Sequence, residues 1–173
     1  MLDFKKITLE DKEILMKYLY RYGENSCQHS FVSMFCMAEK YGDIYAEDNG
    51  YIFILRSSKC TSEHRIYLFS MGDMENKKAL MDAISKILED AKEHGKKVRF
   101  ETLTPKATDA INSLFPGRFK SENIRDYAEY IYTHEKLSLL PGKELASKRY
   151  DINTFFRDYG ERCAIERIGQ KHM

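Results

Sequence analysis

From Glu75 to His94 the apolar residues Ala79, Leu80, Ala83, Ile84, Ile87, Leu88 and Ala91 return at helical spacing, and Gly95 closes the pattern. A stripe this regular has to be buried along one side of a helix, and the segments flanking it change period. Ahead of it, Ile44–Tyr45, Tyr51–Leu55 and Arg65–Phe69 are β-branched or aromatic runs, with Asn49–Gly50 marking a hairpin. Behind it, Val98, Phe100 and Thr102 alternate as a strand. Two helices precede the strands. One covers about 9–22 behind a Thr8/Asp11 capping pair, and a short one covers 31–41 and stops at Gly42. Thr104 and Pro105 open another helix, which Pro116 and Gly117 stop. Further on, Tyr127–Tyr132 reads as a strand, Leu137–Leu140 as a short apolar turn, 145–159 as a helix, and Cys163–Ile168 as a last strand. Interleaving of this kind predicts an α/β (α+β) domain. Its sheet is expected to be mixed, because hairpin-type turns favour antiparallel pairing among the early strands.

Charge narrows the function classes. The 173 residues carry 28 basic and 27 acidic side chains, a net charge of +1, so no bulk attraction to nucleic acid or an anionic membrane follows and any basic site must be local. The charge-free stretch from Asn25 to Ala38 is too short and too polar to cross a bilayer. The N-terminus has no apolar h-region, so a cytoplasmic protein is expected. Cys27, Cys36, Cys60 and Cys163 form no C-x-x-C pair and read as reduced thiols; Cys27 and His29 diverge on a helix and make a poor metal or nucleophile pair. Dinucleotide and P-loop glycine patterns, a G-x-S-x-G elbow and paired zinc histidines are all missing. Arg157 and Gly160 echo the R-x-x-G-x-G/A loop that wraps a pyrophosphate, but Arg162 stands where a small residue belongs.

One region carries more. It reads D-Y-A-E-Y-I-Y from Asp126, then L-S-L-L-P-G-K-E-L, then K-R-Y-D-I-N-T-F-F to Phe156. The arrangement resembles the phosphatidylglycerol lysyltransferase C-terminal-domain family, whose pattern is an acidic residue with a tyrosine strand, a leucine-rich turn with G-K, and a K-R-N-x-I-N-x-F helix. Lys148, Arg149, Asn153 and Phe155 fall on that last motif, and Tyr150 replaces its first asparagine. Weaker likeness extends through the N-terminal helix, the Ser30–Phe35 helix and the Gly72–Ala91 run.

The resemblance implies an acyl-CoA N-acyltransferase-like mixed sheet flanked by helices, and a function in acyl or aminoacyl transfer to an amine or lipid hydroxyl. Acyl-CoA or aminoacyl-tRNA would be the donor, and no other cofactor and no metal is implied. Arg149, Lys148, Asn153, Tyr130 and Tyr132 are the candidate substrate-binding residues, with no catalytic residue assigned. Adjacent helical residues point about 100° apart, so Arg149, sharing a face with Ile152 and Phe156, is the better anion ligand of the pair. The structural alternative has that arginine pinning two elements together through a carboxylate such as Asp126. Relatives of this kind continue into a second acetyltransferase-like domain, so residues 1–160 are expected to form one such domain and 161–173 to begin another, mostly absent one. A rival reading is a non-catalytic binding or dimerisation module that completes its sheet through Cys163–Ile168.

Overall fold

The computed structural model describes residues 2–24 and 26–172, with the side chains of residues 69–71 left aside. Asn25 and Met173, the ends of two stretches singled out in the sequence, lie outside the described residues. The chain divides into two compact units, 1–129 and 130–173.

The first unit is a mixed five-stranded sheet in the order β1-β2-β3-β4-β5. The strands are β1 (Lys5–Lys6), β2 (Asp43–Asp48), β3 (Tyr51–Arg56), β4 (His64–Met71) and β5 (Lys97–Glu101). β1 to β4 pair antiparallel, whereas β5 pairs parallel to β4. A parallel pair cannot be joined by a tight turn. The crossover is the long amphipathic helix read from the sequence, α3 (Lys77–Glu93). β2 and β3 are joined by Asn49 and Gly50, both at positive φ (46° and 80°), the two-residue turn that the right-handed twist of a hairpin prefers.

Every residue of β3 is buried, so its side chains serve two cores in alternation. Tyr51, Phe53 and Leu55 join Leu80, Ala83, Ile84, Ile87 and Ala91 of α3 and Ala107 and Ile111 of α4 (Pro105–Leu114). Ile52 and Ile54 face the opposite way, toward Leu15, Tyr18 and Leu19 of α1 (Lys12–Tyr22) and Phe31, Met34 and Ala38 of α2 (Phe31–Tyr41). The result is a three-layer α/β unit.

Polar groups inside it are paired. Arg56 donates to both oxygens of Asp43 at 2.9 Å across the β2–β3 ladder, and both residues are buried. Asp90 of α3 accepts from Arg65 Nε at 2.6 Å and from the fully buried Tyr67 hydroxyl, tying α3 to β4. Asp11, at the start of α1, accepts from Lys5 Nζ (2.9 Å), Tyr45 Oη (2.6 Å), Thr8 N (2.9 Å) and Thr8 Oγ1 (2.8 Å). The capping pair expected from sequence is thus also the joint between α1 and the β1–β2 edge.

The second unit holds α5 (His134–Leu139) and α6 (Ala146–Tyr159). Three expectations are corrected here. Residues 127–132 form no strand: a 3-10 turn at Arg125–Tyr127 is followed by chain without a ladder. Leu137–Leu139 is helical rather than a turn, because Thr133 Oγ1 caps α5 by accepting from Lys136 N at 3.1 Å. Residues 163–168 likewise make no ladder within the chain. Aromatic and β-branched runs become strands only where a neighbouring strand offers its backbone, and the five-stranded sheet takes in neither run.

The Asp11 cluster sets a pH dependence. Burial disfavours the Asp11 carboxylate, yet the Lys5 ammonium, the Tyr45 hydroxyl and the Thr8 donors outweigh burial and hold its pKa well below the usual range. A depressed folded-state pKa contributes stability that is present above the unfolded value, about 3.9, and is lost as pH falls below it. Asp11→Asn is expected to be less stable than wild type by about 1–3 kcal/mol at pH 7, from the hydrogen bonds lost to a buried carboxylate. In denaturant titrations the gap should narrow as pH drops below 4; a gap constant down to pH 2 would show that the ionised carboxylate contributes nothing.

Candidate functional site

In α/β sheets, ligands settle where parallel strands end and helices begin, because backbone N–H groups and loop side chains converge there. The parallel pair of this protein ends at Met71 and Glu101. Beyond β4, Gly72–Glu75 lead into α3, whose cap Asn76 accepts from Ala79 N at 3.1 Å. Beyond β5, Thr102 sits at φ 59°, a left-handed conformation uncommon for a β-branched residue, and Thr104 Oγ1 caps α4 by accepting from Ala107 N at 3.2 Å. A polar groove of about 430 Å³ opens at this end, lined by Arg21, Glu24, Asp73, Glu75 and Lys106 together with the chain around Gly23 and Gly72.

The groove is shaped by packing. Tyr51 Oη donates to Asp73 O at 2.6 Å, and Asp73 Oδ1 accepts from Glu75 N (3.0 Å) and Asn76 N (3.3 Å), which fixes the β4–α3 turn. A Cβ on Gly72 would stand 2.2 Å from the Tyr51 ring, so only glycine fits there. Lys106 pairs with Glu75 at 3.0 Å across the rim. Sequence reasoning missed this groove, since its lining comes from three distant stretches. The available signal was Gly72–Asp73 directly after a strand run and before a helix cap.

The residues singled out from the motif lie in the second unit. Arg149 is half-buried in the first turns of α6, where its Nη1 donates to Leu140 O and to Gly142 O (2.8 Å). Leu140 and Gly142 have positive φ (46° and 77°), and their carbonyls bound the turn that reverses the chain between α5 and α6. Arg149 therefore does pin two elements, through backbone carbonyls rather than through Asp126. Both bonds use Nη1; among the described residues no hydrogen bond is made by Nε or Nη2, the edge that grips an oxyanion with two parallel donors. Lys148 and Asn153 are exposed and form no hydrogen bond or ion pair among the described residues; Asn153, four residues after Arg149, shares its face. Tyr130 and Tyr132 stand in the ladderless stretch before α5, 73% and 41% exposed. The motif thus brings Arg149, Asn153 and the Pro141–Gly142 turn together, with both tyrosines outside that arrangement.

Cys27 is an exposed free thiol. The Glu129 carboxylate, which also accepts from Ser26 Oγ (3.0 Å) and Cys27 N (2.9 Å), raises the Cys27 pKa and so opposes thiolate formation. Burial pushes the His29 pKa down, against the opposing pull of Glu24 and Glu129, and Nδ1 accepts from Glu24 N at 2.8 Å.

Two measurements test this geometry. Gly72→Ala should lower stability by about 1–3 kcal/mol, the cost of overpacking against a pinned ring, read from the urea midpoint. Alkylation of Cys27, followed by peptide mass spectrometry, should be faster in Glu129→Gln than in wild type at neutral pH; equal rates would remove the carboxylate's influence on the thiol.

A crystal structure described as a conserved protein of unknown function from Bacteroides thetaiotaomicron VPI-5482 matches with a TM-score of 0.79 at 24% identity, over 93% of this chain and 52% of that one. At that identity the likeness is one of fold, and the chain spans about half the length of its structural neighbour. No curated protein matches. The family described as "Phosphatidylglycerol lysyltransferase, C-terminal" matches residues 20–173, a span that holds both the groove and the whole of α6. The chain belongs to that family.

Proposed function

We propose that this protein is part of an aminoacyltransferase that moves an amino acid from aminoacyl-tRNA to an amine or to a lipid hydroxyl. The carrying observation is the family match over residues 20–173, and the family's name supplies the specific form, lysyl transfer to phosphatidylglycerol. In such a reaction the acceptor N–H or O–H attacks the ester carbonyl of the donor. A new amide or ester bond forms, the ester C–O bond to the terminal ribose breaks, and the acceptor proton passes by way of a base to the departing ribose oxygen. The tetrahedral intermediate carries an oxyanion, which preorganised cationic donors stabilise.

The Nε/Nη2 edge of Arg149 suits that oxyanion or a donor phosphate, with Lys148 adding a flexible cation and Asn153 a neutral donor on the Arg149 face. Tyr130 and Tyr132 are the phenols available to relay the proton. Acyl-CoA is the alternative donor, and the same cationic edge would meet its phosphates. Residues 1–160 are read as one acetyltransferase-like domain and 161–173 as the lead into a second, in keeping with a structural neighbour of about twice this length. A cytoplasmic setting fits a donor such as charged tRNA, and no described helix is long and apolar enough to cross a membrane.

A second reading, a non-catalytic binding module, is favoured by the second unit: among its described residues the side chains are exposed or half-buried except for Leu145, with Phe155, Phe156 and Tyr159 of α6 each about half exposed. Transfer of radiolabelled amino acid from charged tRNA to phosphatidylglycerol vesicles separates the two. The transferase reading expects labelled lipid, and a loss of about tenfold or more in kcat/KM for Arg149→Ala, as for removal of an oxyanion or phosphate donor. Label transfer unchanged in Arg149→Ala would remove the site; none with any acceptor, by this chain or a longer protein containing it, would leave the binding module.

A further inference from the structure

On the face of the sheet that α1 and α2 cover, β5 contributes nothing to the apolar layer. Val98 and Phe100 turn to the α3 core, so Lys97, Arg99 and Glu101 occupy the opposite face by alternation. Glu101 is buried there, whereas Lys97 and Arg99 are exposed.

More positive charge gathers beside them. Tyr41 ends α2, and Lys40 Nζ, Arg56 Cζ and Lys59 Nζ lie 5.1, 4.6 and 5.6 Å from its ring centroid. Ser57 and Ser58 donate to the Gly42 and Tyr41 carbonyls, which ties the turn carrying Lys59 to the end of α2. Glu101 joins the two groups, since Arg56 (4.0 Å), Lys59 (3.7 Å) and Arg99 (3.7 Å) all reach its carboxylate. Arg56 is already matched by Asp43, so Lys59 and Arg99 share one carboxylate between them. Lys40 and Lys97 make no ion pair among the described residues. Five cations thus meet two carboxylates. Counting Glu63 as well, 4.0 Å from the His64 that pairs with Lys97 in the ladder, leaves an excess of two positive charges on a chain whose net charge is +1. Glu39 stands about 200° around α2 from Tyr41 and points elsewhere.

We propose that this surface holds the phosphate backbone of the tRNA donor. The identity of the partner rests on the transferase reading, and the surface itself rests on charge. Lys97 and Arg99 leave one face of one strand about 6.6 Å apart, close to the separation of consecutive phosphates on a nucleic-acid strand. Lys59 and Arg99 are held on a buried carboxylate rather than free to flex, and the apolar residues between the β5 cations turn into the core. A surface of fixed cations with no apolar side chain to insert between them suits a polyanion backbone better than an anionic membrane.

Binding of unacylated tRNA to the 173-residue chain, followed by fluorescence anisotropy between about 50 and 200 mM salt, should weaken with a double-logarithmic slope of about −3. That is the slope expected when Lys40, Lys59, Lys97 and Arg99 each release somewhat less than one counterion. Lys40→Gln and Lys97→Gln should each weaken binding by about fivefold at 100 mM salt and flatten the slope by about one, with an unchanged circular dichroism spectrum. Lys92→Gln, the same charge change on the exposed side of α3, should leave the slope as it is. A wild-type slope near zero, or equal losses in Lys92→Gln, overturns the proposal. So does release of phosphatidylglycerol vesicles by the two variants with tRNA binding unchanged, which would make the surface a membrane contact. Transfer assays keep the two readings apart. Tight binding of tRNA through these lysines without transfer, by this chain or a longer protein containing it, removes the transferase reading and leaves the surface; transfer whose KM for charged tRNA ignores both lysines removes the surface alone.

Discussion

The sheet can hold two helical layers because β3 is buried on both faces, and the placing of every other element follows from that alternation. Its odd-numbered residues anchor α3 and α4 and its even-numbered ones anchor α1 and α2. A one-residue slip of β3 against its neighbours would send Tyr51, Phe53 and Leu55 into the wrong layer, so the register is tightly specified. The Arg56–Asp43 pair adds a polar condition to it, because two buried charges are tolerated only opposite each other.

From that register the groove follows. Tyr51 belongs to the α3 core, and its hydroxyl reaches past the ring to fix the Asp73 carbonyl, so the residue that helps set the sheet also shapes the turn lining the groove. Thr102 makes the matching bend after β5 in a conformation that costs energy for a β-branched residue. Two helix N-termini and a set of charged side chains are thereby held at one end of the parallel pair. The second unit works differently. With little buried surface of its own, its order comes from capping and from Arg149 gripping the turn carbonyls, and the aromatic side chains of α6 stay about half exposed.

Much of the first unit is legible in residue order. α1 to α4 and the hairpin each announce themselves by period plus a local stop or cap, and those signals act over a few residues. Asn49–Gly50 can take the two positive φ values of its turn, and Thr104–Pro105 can begin a helix, whatever lies elsewhere in the chain. The motif around Lys148 and Arg149 was legible as a family pattern, but the partners of Arg149 were not, because an arginine can be satisfied by carbonyl or carboxylate alike.

What the sequence determined by itself is therefore local: helix periods and caps, the hairpin turn, the α/β class and the family to which the pattern belongs. The tertiary structure decided the rest. It chose which β-prone runs found a ladder, leaving 127–132 and 163–168 without one, since a strand exists only through a neighbour's backbone. It also gathered Arg21, Glu24, Asp73 and Lys106 from distant stretches into one groove, a juxtaposition that no spacing along the chain encodes.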